Sequence, residues 1–326
     1  MFEAALYPTL VAIYCVHFFW PEAGTFTTWC ITLAVIWMSI VLNIRGIQTI
    51  GKWSAILAWF QILPVLWFII IGVNHIDLSF LGSLNIPANS TTLEALTMAL
   101  IFGLWNFSGY AGLAAAAEEI EDTPTTYPKA LLITLIVSMV MYVVPLIIGI
   151  SVDQNWSNWD EAQFNSVALV LGGGAFAWWF MLAAQSSNFG LINSELIVLS
   201  RLIQAMAKDG FLPQVLDKLH RKYETPVHSL VMQGILLSIM TFGMGFVDLL
   251  VVGTWLSIPT YLIGFAVFIS LRIQKPDMDR PFKIKGGWPV IIPIVAIPCF
   301  IALFIFINTP KEYLLETIPL LDRKST

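Results

Sequence analysis

Midway along an apolar run at residues 94–117 stand Asn106, Ser108, Gly109 and Gly112, interleaved with the rings of Trp105, Phe107 and Tyr110. A single glycine in an apolar helix is ordinary, because small residues let helices pack closely. Polar side chains, glycines and rings at one depth do something more. Backbone groups freed inside a membrane are tolerated only where protein encloses them, typically around a cavity. Two readings follow: a broken helix that shows Asn106, Ser108 and Gly109 to a ligand with rings to gate or stack on it, or a close helix contact. A second polar stretch, Gln185-Ser-Ser-Asn-Phe-Gly190, is followed by Asn193, Ser194 and Glu195 inside the run 168–199. Glu195 precedes Arg201 by six residues, which places it roughly 9 Å inside that basic boundary at ~1.5 Å per residue. A carboxylate central in a membrane helix costs about 2.5–3.5 kcal/mol on insertion scales, so it faces a cavity or a partner. The alternative is a side chain that snorkels or pairs near the edge. Ser186 and Ser187 are oxygen donors able to serve a coupling cation, H+ or Na+.

Other chemistry is missing from the pattern. His17, His75, His220 and His228 form no i, i+4 ligand pair, and Cys15, Cys30 and Cys299 sit in apolar stretches without disulfide or metal spacing. No P-loop, nucleotide fingerprint, H-E-x-x-H or Ser/His/Asp constellation is present. Neither an enzyme, a metal site nor a bound cofactor is expected.

The elements that must carry these residues are set by composition. Of 326 residues 58% are hydrophobic and only 11% charged, with mean hydropathy +0.80. Soluble domains carry about 25% charge, so this is a multi-pass membrane protein. A disordered chain or nucleic-acid binder is excluded, since net charge is -5 without a sustained basic run. A span needs roughly 20 apolar residues. Runs of that kind fall at 4–20, 26–44, 54–73, 94–117, 130–151, 168–199, 228–246, 249–271 and 288–308. They are continuously apolar, which predicts helices; barrel strands would alternate. If the spans alternate, 13 of the 16 Lys and Arg fall on one side and loops 74–93 and 152–167 hold none. The positive-inside rule then makes the basic side cytoplasmic. Sequons at Asn89 and Asn155 fall in these two loops without Lys or Arg and are glycosylation candidates. The first run is short and a polar tail, 309–326, follows the ninth, so the expectation is a piece of a longer chain. Residues 1–308 form its single transmembrane domain.

In order and spacing, several short elements resemble the amino acid–polyamine–organocation transporters, most closely their eukaryotic polyamine and LAT-like branch. They are Ala5-Leu-Tyr-Pro8, Asn43-Ile-Arg-Gly46, Asn106 to Tyr110 with Glu119-Ile-Glu-Asp122 and Tyr127-Pro-Lys-Ala130, Asn188-Phe-Gly190 with Glu195, Met206 to Pro213, Thr225-Pro226 and Arg280-Pro-Phe-Lys-Ile284. The resemblance implies an all-α, LeuT-type inverted-repeat bundle with substrate held between the broken first and sixth spans of twelve. About nine spans would be present here, without the first two, part of the third, and the twelfth. Trp105, Asn106, Phe107, Ser108, Gly109, Tyr110 and Glu195 would then meet substrate.

Two departures weigh against a polyamine. Where polyamine carriers tend to have acids, this chain has Ala111 and Gly264, and a polycation in a low-dielectric cavity needs anionic partners. The resemblance therefore implies a secondary active transporter of amino acids or polyamines, cation-coupled, in the plasma membrane. The rival expectation is a truncated membrane protein that binds a partner subunit without transporting; a glycine-rich span immediately upstream of Met1 would decide between them.

Overall fold

The computed structural model describes residues 1–46, 50–82, 91–109, 122–155, 159–280, 282, 284–311 and 313. Among them nine α-helices follow one another and no strand occurs: α1 (Phe2–Phe19), α2 (Thr25–Ile44), α3 (Ile50–Gly72), α4 (Thr92–Asn106), α5 (Thr123–Val152), α6 (Gln163–Lys208), α7 (Val227–Met240), α8 (Phe246–Gln274) and α9 (Trp288–Asn308). Each apolar run has its helix. Seven are long and apolar enough to cross a membrane, and α4 and α7 are shorter. Their apolar side chains surround the helix instead of forming one stripe, the pattern of helices that meet lipid or are wholly buried. On α5, Leu132, Ile133, Ile136, Val137 and Val140 are all exposed. The all-α transmembrane class read from the sequence is what the described residues build.

The chain forms two compact units, residues 1–84 with 143–249 and residues 85–142 with 250–326. In the first, α6 packs against α1, α2, α3 and α7, burying Leu6, Ile36, Phe68, Ile192, Leu196 and Leu230. A buried polar pair also crosses this core: the Asn43 amide donates to Asn193 Oδ1 at 2.7 Å and to the Ser39 carbonyl at 2.8 Å.

The 46-residue α6 is interrupted at Gly173 (φ 75°, ψ -179°). The run expected to begin at 168 begins at Gln163, whose side chain donates to Asp153 at 2.7 Å. Val167 and Ala168 before the bend and Phe176 after it enter one buried cluster with Phe68 and Ile148. A straight helix turns successive residues by ~100°; the bend lets both segments reach the same neighbours. The seventh run, expected over 228–246, yields a helix only to Met240. Thr241 returns its hydroxyl to the Leu237 carbonyl (2.9 Å), and Gly243 at φ 76° turns the chain into α8.

In the second unit α4 packs on α9, and Trp255 of α8 stacks on Phe306 of α9 with centroids 4.6 Å apart while its indole N–H donates to the Phe306 carbonyl (3.2 Å). The Arg280-Pro-Phe-Lys element has a local purpose. The Arg280 guanidinium donates to the carbonyls of Leu271, Lys275, Pro276 and Met278 at 2.8–3.2 Å, closing the C-terminal end of α8, where a cation also meets the negative end of the helix dipole.

Candidate functional site at the end of α4

Helix α4 starts with a reciprocal cap. Thr91 Oγ1 accepts the Glu94 N–H (3.2 Å) while Glu94 accepts the Thr91 N–H (2.8 Å). It stops after 15 residues. At ~1.5 Å per residue that is about 22 Å, short of a ~30 Å hydrocarbon core. The stop is chemical. Asn106 donates its side-chain amide to the Phe102 carbonyl (2.9 Å), Ser108 its hydroxyl to the Trp105 carbonyl (2.7 Å), and Gly109 takes φ 91°. Only glycine adopts that φ without steric cost. Helix α4 therefore ends within the stretch where a break is expected, and the rest of that run, 110–117, lies outside the described residues.

Beside this end lies a cavity of about 480 Å³ lined by Asn106, Phe107, Ser108 and Gly109, and by Leu131, Thr134, Leu135, Ser138 and Tyr142 of α5. The α5 residues share one face, their spacing of three and four being that of a helix. Phe107 and Tyr142 meet edge to face at 5.6 Å. The cavity joins apolar walls to three α5 hydroxyls and the C-terminal end of α4. That end carries partial negative charge from its carbonyls, so the arrangement favours an amine or other cation with an apolar part.

Not every expected residue takes part. Trp105 is not on the cavity wall and contributes its carbonyl to the helix stop. Tyr110 and Asn89 lie outside the described residues. Asn155 is exposed, its N–H on the Asp153 carboxylate at 3.0 Å. Glu195, Ser186 and Ser187 belong to the other unit. Glu195 is half-buried on α6, and among the described residues it has no ion pair. Ser186 donates to the Ala183 carbonyl (2.8 Å) and accepts from Gln61 Nε2 (3.4 Å), and Ser187 is half-buried. Beside them both ends of the Gln185 amide are buried without a partner among the described residues. The α5 hydroxyls were missed by reading the sequence. Their signal was there, as Thr134, Ser138 and Tyr142 recur every four residues along an otherwise apolar span.

Seven membrane-length apolar helices, with no strand among the described residues, define a multi-pass integral membrane protein. The family model described as amino acid permease matches residues 1–318, and the chain belongs to that family. It is similar to a probable polyamine transporter of Arabidopsis thaliana (25% identical, 97% of this chain and 65% of the relative) and to a polyamine transporter of Oryza sativa subsp. japonica (28%, 83% and 50%). It is likewise similar to the human cystine/glutamate transporter (27%, 81% and 52%). The chain thus spans between half and just under two thirds of the length of these relatives.

Proposed function

We propose that this chain acts in secondary active transport of amino acids or polyamines across the plasma membrane, drawing on an H+ or Na+ gradient. The observation that carries the reading is the stop of α4 beside a cavity of about 480 Å³. The names of its relatives support the substrate classes. In this reading residues 1–308 are one transport domain built as a LeuT-type inverted repeat, the basic loops face the cytoplasm, and one helix bundle rocks against the other. The substrate amine lies at the carbonyl end of α4 near Asn106, Ser108 and Gly109, with Phe107 and Tyr110 as gating or stacking rings, Trp105 serving through its carbonyl alone. Glu195 supplies negative charge along the path, and Ser186 and Ser187 hold the coupling cation. A second reading is a membrane protein that binds a partner subunit without transporting.

The test is uptake of labelled putrescine, arginine and leucine into liposomes holding the purified chain under imposed H+ and Na+ gradients. Gradient-driven accumulation supports transport. Correct insertion with no accumulation of any substrate supports the second reading and removes the first for this chain.

A further inference from the structure

Where the C-terminal end of α2, the last turns of α6 and the approach to α7 come together there is a cavity of about 310 Å³ that transport leaves unused. Its walls include Arg201 and Ser200 of α6, the segment Tyr223-Glu-Thr-Pro226, and Asn43 and Gly46. The enclosure is firmly built. Thr225 donates its hydroxyl to the Ile44 carbonyl (2.9 Å), so the Asn43-Ile-Arg-Gly46 and Thr225-Pro226 elements, far apart in sequence, meet here. The His220 N–H donates to the Thr225 carbonyl (2.8 Å), the Glu224 N–H to the His220 carbonyl (2.9 Å), and His220 Nδ1 accepts the N–H groups of Lys222 and Tyr223 (3.2 and 3.3 Å). This lattice holds Glu224 at φ 53°. A left-handed non-glycine residue is uncommon and costs of order 1–3 kcal/mol, and such residues gather at ligand sites.

Two opposite charges line the cavity, Arg201 and Glu224. No ion pair joins them, and among the described residues neither side chain is engaged by another. Ser200, Tyr223 and Thr225 add hydroxyls. An anion alone would be attracted by the guanidinium and repelled by the carboxylate, and a cation alone the reverse. A molecule with both charges satisfies both walls through charge-assisted hydrogen bonds. The volume lies at the lower end of the ~300–1,000 Å³ of small-molecule sites and matches a ligand of amino-acid size, with the exposed Arg201 and Glu224 at its open side.

We propose that this cavity is a second binding site, for a free α-amino acid, with its carboxylate on Arg201 and its ammonium on Glu224. It shares no residue with the cavity at the end of α4, and it does not depend on the transport reading.

The experiment is calorimetric titration of the purified full chain carrying Gly109→Leu, which fills the α4 cavity, with L-alanine, N-acetyl-L-alanine (no ammonium) and L-alanine methyl ester (no carboxylate). Alanine is expected to bind and each single-charge analogue to bind at least tenfold more weakly. Arg201→Gln and Glu224→Gln should each weaken alanine at least tenfold, while Arg201→Lys keeps most of the affinity. Glu224→Gly removes the charge and relieves the left-handed backbone, so loss of binding in that variant with an undiminished melting temperature separates recognition from folding. Absence of alanine binding, equal binding of the three compounds, or affinity unchanged in Arg201→Gln and Glu224→Gln overturns the proposal.

Discussion

One helix of this chain ends three residues before a left-handed glycine and another bends at one, and the two places differ in everything but the glycine. Gly109 closes α4 at φ 91°, with Asn106 and Ser108 turned onto their own helix and a cavity faced by Thr134, Ser138 and Tyr142. Gly173 bends α6 at φ 75°, and its neighbours enter a cluster of Phe68, Ile148, Val167, Ala168 and Phe176. The first break frees backbone polarity beside hydroxyls. The second steers apolar side chains into a core. A left-handed glycine marks where a helix changes course; the side chains around it determine whether the change makes a site or a bend.

Exchanging the glycines gives the largest contrast. Gly109→Leu is expected to reduce uptake per surface molecule at least a hundredfold, because nothing lies within 4 Å of a Cβ there and the side chain would extend into open space beside the cavity, with some loss of abundance from its left-handed φ. Gly173→Leu should lower abundance and leave the KM of the remaining protein as it was. Uptake assays normalised to surface protein read both. Unimpaired uptake in Gly109→Leu would remove the α4 end as a substrate site.

Glu195 tests whether α6 adds chemistry as well as scaffold. Glu195→Gln keeps size and hydrogen bonding and deletes charge. Uptake of putrescine and arginine is expected to fall about tenfold, with leucine within about twofold. Equal losses for all three at normal surface level would make Glu195 a general gating or coupling residue and not one that selects cations.

A smaller effect, on stability alone, is expected from Gly173→Ala. Alanine at φ 75°, ψ -179° occupies a region open essentially to glycine and should cost about 1–3 kcal/mol. A lowered melting temperature in detergent, with unchanged substrate affinity, fits a purely structural bend. A change in affinity would move Gly173 into the functional class and collapse the comparison.

The helices were readable because membrane helices announce themselves as ~20-residue apolar runs, and that signal is local. The stop at Asn106 was readable for the same reason, since polar residues stand out against such a background. The bend at Gly173 was passed over although Leu171-Gly-Gly-Gly174 spells it out. Those glycines carry no polar neighbours, so the run stayed continuously apolar and its interruption had no chemical signature. The early end of α7 depends on a Thr241 hydroxyl bonded back to Leu237, a contact invisible to hydropathy. The pairing of Asn43 with Asn193 and the shared cavity of Arg201 and Glu224 depend on packing between distant segments. Arg201 was legible only as a boundary charge, and Glu224 not at all.

The smallest effect belongs to the turn that brackets the Gly173 cluster. Asp77 lies beyond the end of α3, its backbone N–H donating to the Ser151 hydroxyl and its carbonyl accepting from it, both at 3.0 Å. Ser151 sits on α5 one turn past Ile148, a member of that cluster. The Asp77 carboxylate accepts the N–H (2.9 Å) and hydroxyl (2.7 Å) of Ser79, and these bonds hold its pKa below the usual aspartate value, backbone donor first and hydroxyl second. The sign follows from linkage. A folded-state pKa below the unfolded value of about 3.9 makes the stabilising contribution complete above that value and removes it as pH falls through the folded pKa. Asp77→Ala deletes the carboxylate and keeps both backbone bonds to Ser151. Melting temperatures of variant and parent are therefore expected to differ slightly at about pH 6 and to converge as pH falls through the lowered folded pKa, with substrate affinity the same in both at every pH. Curves that stay parallel would deny the carboxylate any share in the bracket. A shift in substrate affinity would tie this turn to transport and erase the distinction between the bend and the site.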